Sequence, residues 1–229
     1  MSTPVPKLFL FDIDGTLLSS NWAGSRSFMR SARQVLGLVD EVESVLMAGK
    51  LDRVIFQEIL EANRPDLSDG TSEKYWRSFE EGYLELLQAE SENPEGWALF
   101  PGVKQLLDHC SSLGDLALLT GNVRRGAYIK LSALGVDSYF PTGAFGEELI
   151  DRSGLARAAF KEARAHFQTD FLPGNTFVIG DTQKDIEAGR AIGARTVSAP
   201  DAKLSTSRSG PADARSSALT GPVATATVR

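Results

Sequence analysis

Short apolar runs, each followed at once by polar residues, recur along the chain. The clearest occupy residues 8–11, 116–119 and 176–179. A run of this length in which apolar and polar residues do not alternate is typical of a strand buried on both faces of a parallel sheet. Weaker patterns predict a short strand beginning at Tyr139–Phe140 and a last strand over residues 194–197.

Between these runs, apolar residues recur at the spacing of amphipathic helices. The predicted helices span residues 26–36, 51–60, 72–87, 103–113, 123–134, 153–167 and 185–193, with Ser72 and Ser153 as the expected N-caps of two of them. Because strands alternate with helices, the connections should be right-handed crossovers between parallel strands. The pattern therefore predicts an α/β fold built on a doubly wound parallel sheet.

The first helices follow one another without a convincing strand between them. They fall within residues 19–96, which we interpret as an inserted small helical domain with its own core. Residues 1–18 and 97–197 would then form the α/β core. Residues 198–229 contain no aromatic side chain and much Ser, Ala, Thr, Gly and Pro, so we expect a disordered or atypical tail.

Composition narrows the class of protein. Of the 229 residues, 42% are hydrophobic and 24% are charged, as in a soluble globular protein. The net charge of -6, without a Lys/Arg stripe, speaks against nucleic acid as a partner. No apolar run approaches the ~20 residues of a membrane span, and the single cysteine, Cys110, fits a reducing compartment. We expect a cytoplasmic monomer or homodimer that does not bind a membrane.

Polar residues follow the three clearest strands where each of them ends. These residues are Asp12 and Asp14, then Thr120, Gly121 and Asn122, and finally Asp181 with Asp185. The carboxyl ends of parallel strands lie at one edge of a sheet, so the three groups should converge. Clustered carboxylates form a hard-oxygen site that suits Mg2+, and backbone N–H groups at a helix start suit an anion. This layout is typical of phosphoryl transfer.

Three motifs carry a resemblance to a known family. They read D-I-D-G-T-L at 12–17, L-L-T-G-N at 118–122 and G-D-T-Q-K-D-I-E-A-G at 180–189. In this order they resemble the motifs of the haloacid dehalogenase (HAD) superfamily, on its phosphatase side, and look closest to phosphoglycolate-phosphatase-like hydrolases. The resemblance covers roughly residues 7–197. It places the superfamily's small cap domain at the helical insert.

The resemblance also implies a role for each motif residue. Asp12 would be the nucleophile that forms an aspartyl-phosphate, and Asp14 would protonate the leaving oxygen and later deprotonate water. An acid at position 14 also argues against dehalogenation. Mg2+ would be bound by Asp12, Asp181 and the main-chain carbonyl of Asp14, with Asp185 in support. Thr120, Gly121, Asn122 and a basic residue would bind the phosphoryl group.

The identity of that basic residue departs from the superfamily, which usually carries a lysine between the second and third motifs. Residues 146–152 offer Arg152 instead, which keeps the charge and can bind phosphate through two hydrogen bonds. Lys130 is the alternative, although its helical setting favours a solvent-exposed face. In the insert, the stretch from Gly49 to Asp52 is either a substrate-facing loop or a helix cap with exposed charges.

The sequence thus predicts a Mg2+-dependent phosphatase that hydrolyses a small phosphomonoester, a phosphorylated metabolite, through an aspartyl-phosphate. Two alternatives stay open. One is a sugar phosphomutase of the same superfamily, which returns the phosphoryl group to a substrate. The other is a non-catalytic binding protein derived from such an enzyme.

Overall fold

The strands predicted from the apolar runs lie side by side in the computed structural model, which describes residues 5–39, 45–68, 72–148 and 150–198. The strands are β1 (Leu8–Phe11), β2 (Leu18–Ser19), β3 (Ala98–Leu99), β4 (Asp115–Leu119), β5 (Gly143–Ala144), β6 (Thr176–Gly180) and β7 (Arg195–Ser198). Five of them form a parallel sheet in the order β5-β4-β1-β6-β7. The predicted α/β fold with a parallel sheet is confirmed.

Strand β1 is central in this sheet, between β4 and β6. Phe11 at its end pairs with Leu118 on one side and with Ile179 on the other. The three strands therefore end nearly level with one another. This register brings the polar residues that follow them to one edge of the sheet, as expected for parallel strands.

The helices of the described chain are α1 (Ala23–Leu36), α2 (Asp52–Asn63), α3 (Ser72–Glu92), α4 (Val103–Leu113), α5 (Arg124–Ala133), α6 (Arg152–Phe167) and α7 (Gln183–Ala191). All the predicted helices are present, with ends that differ by a few residues, as is usual for helix boundaries. Among the described helices, none combines the length and apolar character that crossing a membrane requires.

Apolar side chains of β1 cover both faces of the sheet. Phe9 and Phe11 point into a cluster that includes Leu107 of α4. Leu8 and Leu10 point into a second cluster, which includes Leu155 of α6. Because side chains alternate along a strand, one unbroken apolar run supplies both cores.

Helices α1, α2 and α3 pack around a third apolar cluster. Its aromatic centre is Phe79, whose ring centroid lies 4.5 Å from those of Phe28 and Phe56. The short antiparallel pair of β2 and β3 joins the chain segments that enter and leave these helices. These contacts support the inserted helical unit, although the exact division into 1–18, 19–96 and 97–197 stays a prediction.

Two local predictions were wrong. Tyr139 lies in a 3-10 turn, Asp137–Tyr139, and the strand follows at β5. The apolar pair misled because Phe140 packs edge-on against Phe11 in the core from that turn. Helix α6 is capped by Asp151 rather than Ser153, and its carboxylate accepts a hydrogen bond from the Gly154 N–H at 2.5 Å.

The predicted tail begins one residue too early, because Ser198 is the last residue of β7. Residues 199–229 lie outside the described residues.

Candidate active site

Asp12 continues β1 beyond its last strand residue, since its N–H donates to the Ile179 carbonyl oxygen at 3.0 Å. The chain then turns sharply at Gly15, which has a φ of +82°. A Cβ at this position would collide with the Asp181 carboxylate. Glycine is therefore required both by the backbone conformation and by the close approach of Asp181.

Asp12, Asp181 and Asp185 form a cluster, the acidic triad. One carboxylate oxygen from each lies within 4.8 Å of the other two. Thr16 Oγ1 donates to Asp181 Oδ1 at 3.3 Å, and the Asp185 carboxylate accepts from the Thr182 N–H and hydroxyl at 3.0 and 2.7 Å. An all-oxygen set at this spacing fits a hard divalent cation such as Mg2+. The three carboxylates therefore lie close together, as the sequence predicted.

Arg152, in the first turn of α6, lies against this triad. Its Nη2 is 3.2 Å from Asp12 Oδ2 and also donates to Asp185 Oδ1. The side chain is buried, yet its Nε has no hydrogen-bond partner among the described residues. A buried N–H donor without a partner destabilises the folded state. A ligand oxygen that accepted a hydrogen bond from Nε would remove this cost.

The Asp12 carboxyl is buried, and its environment favours the protonated form. Burial raises the pKa of Asp12 to about 7, and the Arg152 charge opposes that rise. Asp185 and Asp14 raise it further through repulsion between like charges. A cation bound in the triad would act in the same direction as Arg152 and favour the ionised carboxylate.

Asp14 lies outside the acidic triad, although it follows Asp12 by only two residues. Its side chain is 46% exposed, and Lys130 Nζ lies 2.7 Å from its Oδ2. Asn122 Nδ2 donates to the same oxygen at 2.8 Å. The two carboxylates of the first motif therefore have different partners, Arg152 for Asp12 and Lys130 for Asp14.

The loop after β4 is tightly packed. Thr120 is fully buried, and its Oγ1 accepts from Asn122 Nδ2 at 2.9 Å. The Gly121 carbonyl accepts from the Asp52 N–H at 2.7 Å. A Cβ on Gly121 would collide with the carbonyl oxygen of Lys50 in the insert. This loop therefore contacts the insert directly.

Asp52 opens helix α2 and faces the core rather than solvent. Its Oδ2 accepts from the Val123 N–H at 2.9 Å. Burial raises the pKa of Asp52 to about 7, and the charge of Lys130 opposes the rise. The expectation of a helix cap with exposed charges is thus wrong for Asp52, while Lys50 forms a half-buried ion pair with Glu58 at 2.5 Å.

Comparison with protein families agrees with this geometry. The family model described as haloacid dehalogenase-like hydrolase matches residues 6–193. The chain belongs to this family. The predicted family is thereby confirmed, and the acidic triad is the metal-binding candidate of a HAD-like hydrolase.

Solved structures of this hydrolase fold are similar to the chain. A predicted phosphoglycolate phosphatase from Haemophilus somnus 129PT has a TM-score of 0.59 at 19% identity, covering 84% of each chain. CbbY from Rhodobacter sphaeroides, in complex with phosphate, has a TM-score of 0.58 at 19% identity over 86% of this chain and 87% of that one. A HAD-like family protein from Streptococcus pneumoniae has a TM-score of 0.55 at 18% identity, covering 84% of each chain. No curated protein sequence matches significantly.

Sequence reasoning misjudged Lys130 in this hydrolase. The side chain is 3% exposed, not on a solvated face. Its position contained a signal, because Lys130 shares the buried stripe of α5 with Ala127 and Leu131. A lysine on such a stripe must find a buried partner. The role of Asp52 had no comparable signal, since an acid at a helix start is common on any surface.

Proposed function

We propose that this HAD-like hydrolase is a Mg2+-dependent phosphatase that hydrolyses a small phosphomonoester through an aspartyl-phosphate on Asp12. The observation that supports this most is the acidic triad with Arg152 against it. Oxygen ligands for a cation and a buried guanidinium for an anion both lie next to the Asp12 carboxylate. A phosphate ester needs both, because its oxygens carry negative charge toward a negatively charged nucleophile.

In the first step, a carboxylate oxygen of Asp12 attacks phosphorus as the bond from phosphorus to the ester oxygen breaks. The leaving oxygen takes the proton carried by Asp14. The products are the free alcohol and an aspartyl-phosphate. In the second step, water attacks the phosphorus and gives its proton to Asp14. Inorganic phosphate leaves, and the Asp12 carboxylate and the protonated Asp14 are restored.

The residues that would bind Mg2+ are Asp12, Asp181, Asp185 and the main-chain carbonyl of Asp14. When bound, the cation neutralises the repulsion between the Asp12 carboxylate and the phosphoryl oxygens. Asp185 is held for this task by its hydrogen bonds to Thr182. Arg152 adds a positive charge next to the Asp12 carboxylate.

Phosphoryl oxygens would be bound by Thr120, the Gly121 N–H, Asn122 and Arg152. The Arg152 Nε, which has no partner among the described residues, supports its part in this set. A phosphoryl oxygen is an acceptor that would satisfy this donor. Asn122 would in addition orient Asp14 and Thr120 through the hydrogen bonds of its side-chain amide.

The substrate class is proposed as a small phosphorylated metabolite. The insert packs directly on the loop after β4, so a phosphoryl group bound by Thr120 and Gly121 would lie close to the insert. Two similar structures carry related printed descriptions, a predicted phosphoglycolate phosphatase and CbbY in complex with phosphate. A cytoplasmic location and a monomeric or homodimeric state remain predictions from the sequence.

The proposal is tested by phosphate release from p-nitrophenyl phosphate with the purified full-length protein. We expect turnover with Mg2+ and none after addition of EDTA. Asp12→Asn should lower kcat by at least about 10³-fold, because the nucleophile is lost while the shape is kept. Glu85→Gln, an exposed site on α3, removes one charge without contact to the triad and should leave the rate unchanged.

Normal rates for Asp12→Asn would refute the assignment of the nucleophile. The assay also separates the alternatives. A phosphomutase would need a bisphosphate primer and would release little phosphate, and a binding protein would release none.

A further inference from the structure

Lys130 is a buried cation that the proposed chemistry does not use. It lies on α5 of the core, and its Nζ is 2.7 Å from both Asp14 Oδ2 and Asn122 Oδ1. Burial of an ammonium group is costly unless it is paired and hydrogen-bonded. Both requirements are met here, and the partner is the exposed acid of the first motif rather than the nucleophile.

The path of the Lys130 side chain depends on the insert. Gly24, in the first turn of α1, faces it so closely that a Cβ there would lie 3.1 Å from Nζ and 3.3 Å from Cε. Gly24 has an ordinary helical conformation, since it is not among the glycines with positive φ. The small residue is therefore explained by space for Lys130 and not by backbone geometry.

Both hydrogen bonds described for the Asp14 carboxylate are made to the same oxygen. Lys130 Nζ and Asn122 Nδ2 both donate to Oδ2, at 2.7 and 2.8 Å. Two donors on a single oxygen fix the rotation of the carboxyl group about its terminal bond. The other oxygen, Oδ1, then keeps a defined position from which it can exchange a proton.

We propose that Lys130 is a positioning residue that holds Asp14 by Oδ2, so that Oδ1 exchanges the proton with the leaving oxygen. This inference rests on the proposed function, in which Asp14 is the acid and base. In this role Lys130 acts through Asp14 and not by binding the phosphoryl group. It therefore differs from Arg152, which lies against Asp12.

The test compares two aryl phosphates that differ only in a para-nitro group, p-nitrophenyl phosphate and phenyl phosphate. p-Nitrophenolate leaves readily without a proton, whereas phenolate departs much better with one. In Lys130→Met we expect kcat for phenyl phosphate to fall about 10²-fold, a typical contribution of a positioned acid. The kcat for p-nitrophenyl phosphate should fall less than about 10-fold, with KM nearly unchanged for both. Lys161→Met, an exposed lysine on α6, is the matched control and should change neither rate.

Gly24→Ala tests the same geometry without removing the lysine. The added methyl group would push Nζ and Cε aside by a few tenths of an ångström, so the ratio of the two kcat values should shift in the same direction but by less than in Lys130→Met. Alanine is a better helix former than glycine by roughly 1 kcal/mol, so the melting temperature should not fall. A loss of activity without a loss of stability is a result that a purely structural role for Lys130 does not produce.

An unchanged ratio of the two kcat values in Lys130→Met and Gly24→Ala, with an active wild type, would overturn this inference alone. An equal fall for both substrates would also overturn it. If wild-type protein hydrolysed neither ester with Mg2+, the proposed function would fail and the inference with it. If Lys130→Met did not fold, the ratio measured in Gly24→Ala would decide.

Discussion

Replacement of Asp52 by Asn should stabilise the protein in a pH-dependent manner. The carboxyl is buried at the contact between α2 and the core, and burial raises its pKa from 3.8 to about 7. The Lys130 charge and the hydrogen bond from Val123 lower this pKa, and Asp14 and Glu80 raise it. Asparagine keeps the shape and an oxygen that can accept from the Val123 N–H, but it carries no charge to bury.

The direction and size of the pH effect on stability follow from the pKa of Asp52 in the unfolded state, 3.8, and in the folded state, about 7. Because the folded state holds the proton more tightly, this group lowers the free energy of unfolding as pH rises from about 4 through about 7. One pKa unit corresponds to about 1.4 kcal/mol, so the full range is about 4 kcal/mol. About 2–3 kcal/mol of this range falls between pH 5 and pH 8. The advantage of Asp52→Asn over wild type should therefore grow by that amount between these two pH values.

Urea denaturation of both proteins at pH 5 and pH 8, followed by circular dichroism, measures this difference. Titrating groups far from Asp52 are shared by the two proteins and cancel in the comparison, so the difference reports Asp52 together with its charged neighbours Lys130, Asp14 and Glu80. Glu85→Gln, which removes an exposed charge from the same insert, should show a nearly constant difference from wild type. A constant difference for Asp52→Asn, within about 0.5 kcal/mol, would refute the reasoning that the cost of burying this charge dominates.

Two further substitutions test the contacts around the acidic triad. Arg152→Met leaves Asp12 and Asp185 without their buried cation, so the free energy of unfolding at pH 8 should fall by about 3–5 kcal/mol. Added Mg2+ should restore part of this loss, and an unchanged urea midpoint would contradict the pairing. Gly121→Ala adds a methyl group against the Lys50 carbonyl and should cost about 1–3 kcal/mol by urea denaturation. The stability of Gly174→Ala, where a Cβ meets open space, should stay within about 0.5 kcal/mol of wild type. Equal losses of stability in Gly121→Ala and Gly174→Ala would contradict the argument that the contact with Lys50 causes the loss.

The strands and the sheet edge at which the site forms can be predicted from the order of apolar and polar residues along the chain. Unbroken apolar runs such as Leu8–Phe11 are typical of strands buried on both faces, and their alternation with helical segments favours a parallel sheet. Parallel strands end at one edge, which is why the convergence of Asp12, Asp181 and Asp185 followed from sequence position alone. The family resemblance implied a cation between the second and third motifs and so pointed to Arg152, which does lie against Asp12; its role in phosphate binding stays a proposal.

The pairing of the buried charges, in contrast, depends on the three-dimensional packing of distant segments. Along the sequence Asp52 looks like an ordinary surface charge at a helix start, and the apolar stripe of α5 signals that Lys130 is buried but not which group it meets. The partners of both side chains lie on elements far apart in the chain. Lys130 reaches Asp14 across 116 residues, and Asp52 reaches the Val123 N–H across 71. Local spacing specifies the face of a helix on which a residue lies, but not the group that meets that face. The partner is fixed by how the insert packs on the core, which is a property of the whole fold.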